Sequence, residues 1–417
     1  MGRPAMGADQ LQGISLPPLT ETSSLMDERI YSAHKIILED RVLSPGHIIV
    51  KDGRIKSVES GTFQGHHPNH EHHPDLILAP GFVDLHVHGG DGADFMDGTP
   101  GAFLKTCKAH FRHGTTTLLA TSTAATSESI LAFLECTRNA KANPWPEAAR
   151  VAGAHFYGPY FFKDARGCHP AEPITDPAYS HYAPFLEFAD CIITASVAPE
   201  LMGAEQFSSD CTQRGIRMNA GHSHATFAQV EHSIRYGVRH VDHLFCAMSD
   251  RARLRQTQTY PMRGGLLEAT LFFDSLTTEV IADGKHLAPE LLRLAYKAKG
   301  PDRLALVTDA NRAMDMPDGE YWFGKPGEGE LVLRKDGVGL TPDGKALASS
   351  VAGMDTCLRQ MQAALSLPLP ELFRMATLTP ARIAGLDGDI GSITPGKRAD
   401  LVLLDEQLHV RKVLLGK

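Results

Sequence analysis

Ala79-Pro80-Gly81-Phe82-Val83-Asp84-Leu85-His86-Val87-His88-Gly89-Gly90 is the stretch on which the fold turns. Its apolar run reads as a buried strand, and two glycines end it. In a strand, residues i and i+2 project to the same face. The imidazoles of His86 and His88 therefore point to one side at the strand's C-terminal end. Two nitrogen donors on a rigid element suit Zn²⁺ or Fe²⁺.

Seven further apolar runs follow, each succeeded by helical or loop sequence. They are Thr115–Ser122, Arg150–Gly158, Ile192–Pro199, Ile216–Ser223, His240–Phe245, Thr278–Gly284 and Leu304–Ala310. Strand–helix alternation repeated eight times predicts a parallel (β/α)8 barrel, whose active site sits at the C-terminal ends of its strands. Before the barrel, Arg29–Leu38 and His47–Ser60 read as strands, the latter bent at a hairpin turn, Asp52-Gly53. Beyond Asn311 a Gly- and Asp-rich stretch leads to strand-like Glu330–Leu340, helical Met354–Leu365 and Leu369–Leu386, and a β-like tail. The expected organisation is a flexible leader over 1–26, a barrel over 79–384, and a small β-sandwich made by both chain ends, 27–78 and 385–417. The tract His66-His67-Pro68-Asn69-His70-Glu71-His72-His73-Pro74 reads as a solvated loop, its two prolines breaking regular ligand geometry.

The chain's 417 residues suit a barrel plus a smaller domain, and 42% hydrophobic with 22% charged residues is an ordinary globular balance. A net charge of −8 argues against nucleic acid as a partner. No apolar run approaches a membrane span of roughly 20 residues, and the polar N-terminus lacks a signal-peptide core. Seven cysteines without CxxC spacing predict free thiols in a reducing, cytoplasmic setting.

The composition stands out in its 21 histidines. Besides His86 and His88, His222 ends the fifth predicted strand and His243 the sixth, while Asp309 ends the eighth. Together they read as a divalent-metal site. A cation on neutral imidazoles acidifies water, and a carboxylate such as Asp309 can take that proton and deliver it to a leaving amine. The chemistry indicated is hydrolysis of an amide or a related C–N bond.

The segments Ala79–Gly89, His113–Thr117, Gly153–Phe161, Arg166–Pro170, Ala220–Thr226, Asp242–Met248, Val280–His286, Leu306–Ala310 and Thr379–Asp405 resemble the amidohydrolase superfamily and, within it, the N-acetylglucosamine-6-phosphate deacetylases. The resemblance implies that His86, His88, His222 and His243 bind metal, that Asp309 is the acid/base, and that His169 and His286 contact the sugar and its N-acetyl group. It also implies a cytoplasmic homodimer acting on a small amino-sugar substrate.

Two segments depart from that pattern. Tyr157 stands where the family carries a metal-ligating glutamate, which favours a single metal, zinc or else iron, on His86, His88, His222 and Asp309. His243 is then either a ligand or poised over the water. At the phosphate end Cys246-Ala247-Met248 replaces Asn-Ala-Met, and Arg263 is displaced by one residue, with Arg251, Arg253 and Arg255 upstream. Ala247, Met248 and Arg263 are the substrate-binding candidates there. The expected activity is deacetylation of an N-acetylated amino sugar, N-acetylglucosamine 6-phosphate first. A deaminase, an N-acyl-amino-acid hydrolase and a non-catalytic barrel are the alternatives.

Overall fold

The computed structural model describes residues 28–257 and 260–416; the leader expected over 1–26 lies outside them. Eight parallel strands form the barrel: Phe82–Val87, Thr115–Thr121, Arg150–Phe156, Ile192–Val197, Arg217–Ala220, Val238–Val241, Thr277–Ile281 and Leu304–Val307. Six fall inside the runs read from the sequence; Val238–Val241 and Thr277–Ile281 overlap theirs but begin two residues and one residue earlier. The seam between the first and eighth strands is closed by polar groups. His88 N donates to Ala310 O at 3.0 Å and Asp309 N to His86 O at 2.9 Å. Thr308 Oγ1 donates to Asp84 Oδ2 at 2.6 Å, and burial pushes the Asp84 carboxyl up to about 7.

At the opposite end the helix Leu378–Ala384 packs Ala381 and Ala384 against Val83, Leu85, Leu119, Ile281 and Val307 of the barrel interior. Its apolar contacts close the floor and leave the polar groups gathered at the mouth. Outer helices begin where the sequence supplies caps. Thr99 accepts from Ala102 N ahead of Pro100, and Thr226 with Gln229 forms a capping box.

Both chain ends meet in one β unit. Its strands run in the order Val410–Leu414, Leu401–Leu404, His70–Pro80, Glu28–Ile37, Gly46–Lys51, Arg54–Ser60, hydrogen-bonded as a continuous sheet around Tyr31, Ile36, Ile48, Val50, Leu78, Leu401 and Leu403. Asp52 and Gly53 both take positive φ, 51° and 72°, as the two-residue hairpin turn requires. Arg150 ties sheet to barrel through Asp400 at 2.6 Å.

Two segments differ from the sequence reading. The histidine-rich tract is not a loop throughout: His70–Pro80 is a strand pairing parallel to Glu28–Ile37 and, at its far end, antiparallel to Leu401–Leu404. The buried run Ile77-Leu78-Ala79 anchors it in the sheet, and the histidines ride on the same strand. Within the Gly- and Asp-rich stretch, Gly319–Phe323 forms a strand that pairs with Glu330–Lys335, which pairs in turn with Val338–Leu340. Its aromatic run Tyr321-Trp322-Phe323 was the available signal. All seven cysteines are unpaired, and no helix among the described residues is long and apolar enough to cross a membrane.

Candidate active site at the barrel mouth

His86 and His88 emerge from the end of the first strand with 0% and 1% exposure. His222, His243 and Asp309 each follow the end of their strands with positive φ, 44°, 23° and 46°. The left-handed region disfavours side chains other than glycine, Asn or Asp. His222 and His243 there mark backbone held under strain where side chains must turn inward, and Asp309 is a residue type that tolerates the same turn.

The hydrogen bonds behind the imidazoles decide what faces the cavity. His86 Nδ1 lies 2.7 Å from Glu279 Oε1, and His222 Nδ1 donates to Ala165 O at 2.7 Å. With Nδ1–H engaged, the Nε2 lone pair of each ring is left for the mouth. His86 Nε2 is buried with no hydrogen-bond partner. His88 Nε2 and His86 Nε2 stand 3.3 and 3.7 Å from Asp309 Oδ1. One donor atom from each of these three residues lies within 4.8 Å of the others. Two imidazoles and a carboxylate, one ring with an orphaned buried nitrogen, fit a divalent metal.

His222 and His243 are not part of that three-residue group. Their Nε2 atoms face each other at 3.2 Å, and His243 Nε2 lies 2.5 Å from Tyr157 Oη. Burial pushes the His222 imidazole well down and His243 down to about 4, so both are neutral. Tyr157 sits among the rings, its centroid 4.5 Å from His86, 4.9 Å from His155 and 5.3 Å from His222. Burial and nearby carboxylates push its phenol well above the ordinary value, so it is a neutral hydroxyl hydrogen-bonded to His243. Burial also opposes the Asp309 carboxylate, but the rings of His86 and His88 beside it hold it well below the usual range. The His88-facing carboxylate is further held by Ser349, whose hydroxyl donates to Asp309 O and lies 3.2 Å from its Oδ1.

These groups border a cavity of about 240 Å³ that also touches His169, His286, Ala247 and Phe323. His169 Nδ1 accepts from Ala124 N at 3.2 Å, and His286 Nδ1 is paired with Asp283 at 2.8 Å. A cleft of about 470 Å³ adjoins it at Gly167 and Ala247; Met248, His224 and Arg253 line that cleft. Arg263 is exposed and borders neither space, so the displacement by one residue seen in the sequence carries it away from the mouth. Arg253 lines the adjoining cleft, and its Nε donates to His224 Nε2 at 2.9 Å. Burial pushes the Cys246 thiol up to about 12, which leaves it a small filler rather than a thiolate ligand. His155, one layer lower, bonds Ser196 Oγ at 2.8 Å.

Sequence reasoning missed Glu279, Ser349 and Phe323. An acid in the middle of a buried strand, as in Thr278-Glu279-Val280-Ile281, was a legible flag for the first. Nothing in the sequence pointed to Ser349.

Residues 77–415 match the amidohydrolase family. The chain belongs to that family. Amidohydrolases are metal-dependent, in keeping with the donor group at this mouth. Among curated relatives, this amidohydrolase is 31% identical to N-acetylgalactosamine-6-phosphate deacetylase of Escherichia coli O157:H7, over 92% of this chain and 97% of the relative. It is 30% identical to N-acetylglucosamine-6-phosphate deacetylase of Vibrio furnissii, over 87% of each. A solved complex of a variant N-acetyl-D-glucosamine-6-phosphate deacetylase from Mycobacterium smegmatis with N-acetyl-D-glucosamine-6-phosphate superposes with a TM-score of 0.85. It covers 94% of this chain and 98% of that one at 28% identity.

Proposed function

We propose that the protein is a metal-dependent deacetylase of N-acetylated hexosamine 6-phosphates, with N-acetylglucosamine 6-phosphate as its first substrate. The convergence of His86, His88 and Asp309, with the unpartnered Nε2 of His86 between them, carries the reading. A single zinc, or iron in its place, would be held by these three and by His222. When bound, a divalent metal supplies Lewis acidity, acidifying water and polarising a carbonyl.

The chain's own groups do the rest. Asp309, kept ionised, takes a proton from the attacking water at its carboxylate. Water oxygen bonds to the acetamide carbon, the C–N bond breaks, and Asp309 returns the proton to the departing amine, giving acetate and the free amino sugar. His243 is poised over the water as a neutral imidazole, and the Tyr157 hydroxyl holds its Nε2. Tyr157 occupies the space between the rings and brings no negative charge there, which supports one metal rather than two. Phe323 packs on His88 at 4.8 Å and on His169 at 5.1 Å, walling the cavity from water.

The small cavity suits the N-acetyl end, with His169 and His286 as its polar contacts. The adjoining cleft suits the phosphate, with Arg253 and His224 as the positive and hydrogen-bonding groups; Asp250, also in that cleft, is engaged in capping Arg253 N at 2.8 Å. The relatives' names divide between two epimers, so the assay is acetate release by zinc-loaded protein from both N-acetylhexosamine 6-phosphates and from unphosphorylated N-acetylglucosamine. Turnover of at least one phosphorylated sugar, faster than the unphosphorylated one, is expected. No acetate from any of the three would refute the substrate assignment.

A further inference from the structure

Below the mouth lies the carboxylate of Glu279, 1% exposed on the seventh barrel strand. Its Oε1 lies 2.7 Å from His86 Nδ1 and accepts from His243 N at 3.3 Å. Its Oε2 lies 3.2 Å from His240 Nε2, and His240 Nδ1 is anchored on Thr277 Oγ1 at 2.8 Å. One side chain thus connects the ring of His86 on the first strand with the backbone of His243 at the end of the sixth.

His240, Asp242 and Glu279 also bring donor atoms within 4.8 Å of one another, as a second cation site would require. Their hydrogen bonds argue otherwise. Both Glu279 oxygens are engaged, and Asp242 accepts from Ser196 Oγ at 2.6 Å and from Asn219 Nδ2 at 2.8 Å. Among His86, His240, Asp242 and Glu279 the atom left without a partner is His86 Nε2, on the mouth side. The carboxylates therefore act on the ring rather than on a cation of their own.

We propose that Glu279 is the positioning residue of the metal centre: it holds the proton of His86 on Nδ1 and fixes the ring so that Nε2 faces His88 and Asp309. A neutral imidazole carries one N–H, and which nitrogen bears it is set by the bond the other ring atom makes. Without an acceptor at Nδ1, the proton is free to sit on Nε2 and the lone pair turns to the wrong side. His240 holds the far oxygen, which keeps the carboxylate from rotating away.

The inference rests on the metal reading above, and its test separates the two. Metal-free wild type, Glu279→Leu and Glu279→Gln are titrated with zinc against a chromogenic chelator, and the metal-free melting curves are recorded alongside. Glutamine keeps an acceptor oxygen for Nδ1–H and is the variant that must fold. The expected result is a zinc Kd raised about 10- to 100-fold in Glu279→Leu, the range for lost partners of ligating histidines. Glu279→Gln should recover most of that loss. Wild-type affinity in both variants, or an equal loss in both, would overturn the inference. Wild type that binds no zinc would overturn the metal reading and this inference with it.

Discussion

Two regions of this molecule are rich in histidine, and they differ in what stands behind the rings. In the chain-end sheet, His66, His67, His70, His72 and His73 fall within eight residues. Among the described residues no group of three metal donors forms there. His70 Nε2 is spent on Ser32 Oγ at 2.9 Å, His73 on Glu71 at 3.2 Å, and His66 and His72 are exposed. At the barrel mouth the histidines are scattered from residue 86 to residue 286, yet they converge. There the Nδ1 atoms of His86 and His222 are occupied from behind, and Nε2 is left facing inward. Local density of histidine says little about a metal site; rigid strands that share one end, with acceptors behind the rings, make one.

The comparison predicts a graded series of effects. Replacing both mouth histidines, His86→Asn with His88→Asn, should abolish zinc binding and reduce acetate release to background, measured by metal analysis and an acetate assay. Asp309→Asn should keep the metal with the histidines and lower kcat by about 10²–10⁴-fold. Unchanged kcat in that variant would remove the acid/base role.

His113 offers a smaller effect outside the mouth. Burial lowers its imidazole pKa, but bonds to Asp315 and Asp355 at 3.0 and 2.9 Å raise it further, to about 9. A folded pKa above the unfolded value of about 6.5 gives stability that is fully present below that value and lost as pH rises through about 9. His113→Gln should therefore lower Tm by several degrees at pH 6 and by much less at pH 10; equal losses at both would deny the ion pairs. The smallest effect belongs to the tract. His70→Ala with His72→Ala should leave zinc content and kcat/KM within about twofold of wild type, and a loss of metal there would break the comparison outright.

How much of this was legible in the sequence follows from the range of each interaction. The eight strands declared themselves because burial on both faces writes continuous apolar runs. His86 and His88 were readable because period-2 geometry is local. The tract His70–Pro74 was misread because its pairing is set by Ile77-Leu78-Ala79 and by partner strands far away in sequence. Glu279 was missed for the same reason: its partner His86 lies 193 residues upstream, and a single acid in a strand has no spacing pattern to announce it. Ser349 reaches Asp309 across 40 residues of loop and hairpin. The strand Gly319–Phe323 was hidden by the glycines and aspartates around it, although it delivers Phe323 to the cavity wall.

The central claim is that one metal, held by neutral imidazoles and a carboxylate at the barrel mouth, drives the hydrolysis. It is tested most directly by titrating metal-free wild-type protein with zinc while following acetate release from N-acetylglucosamine 6-phosphate. Activity should rise linearly and stop at about one equivalent per chain, with the tract variant His70→Ala/His72→Ala giving the same endpoint. An endpoint near two equivalents, or full activity before any zinc is added, would contradict it.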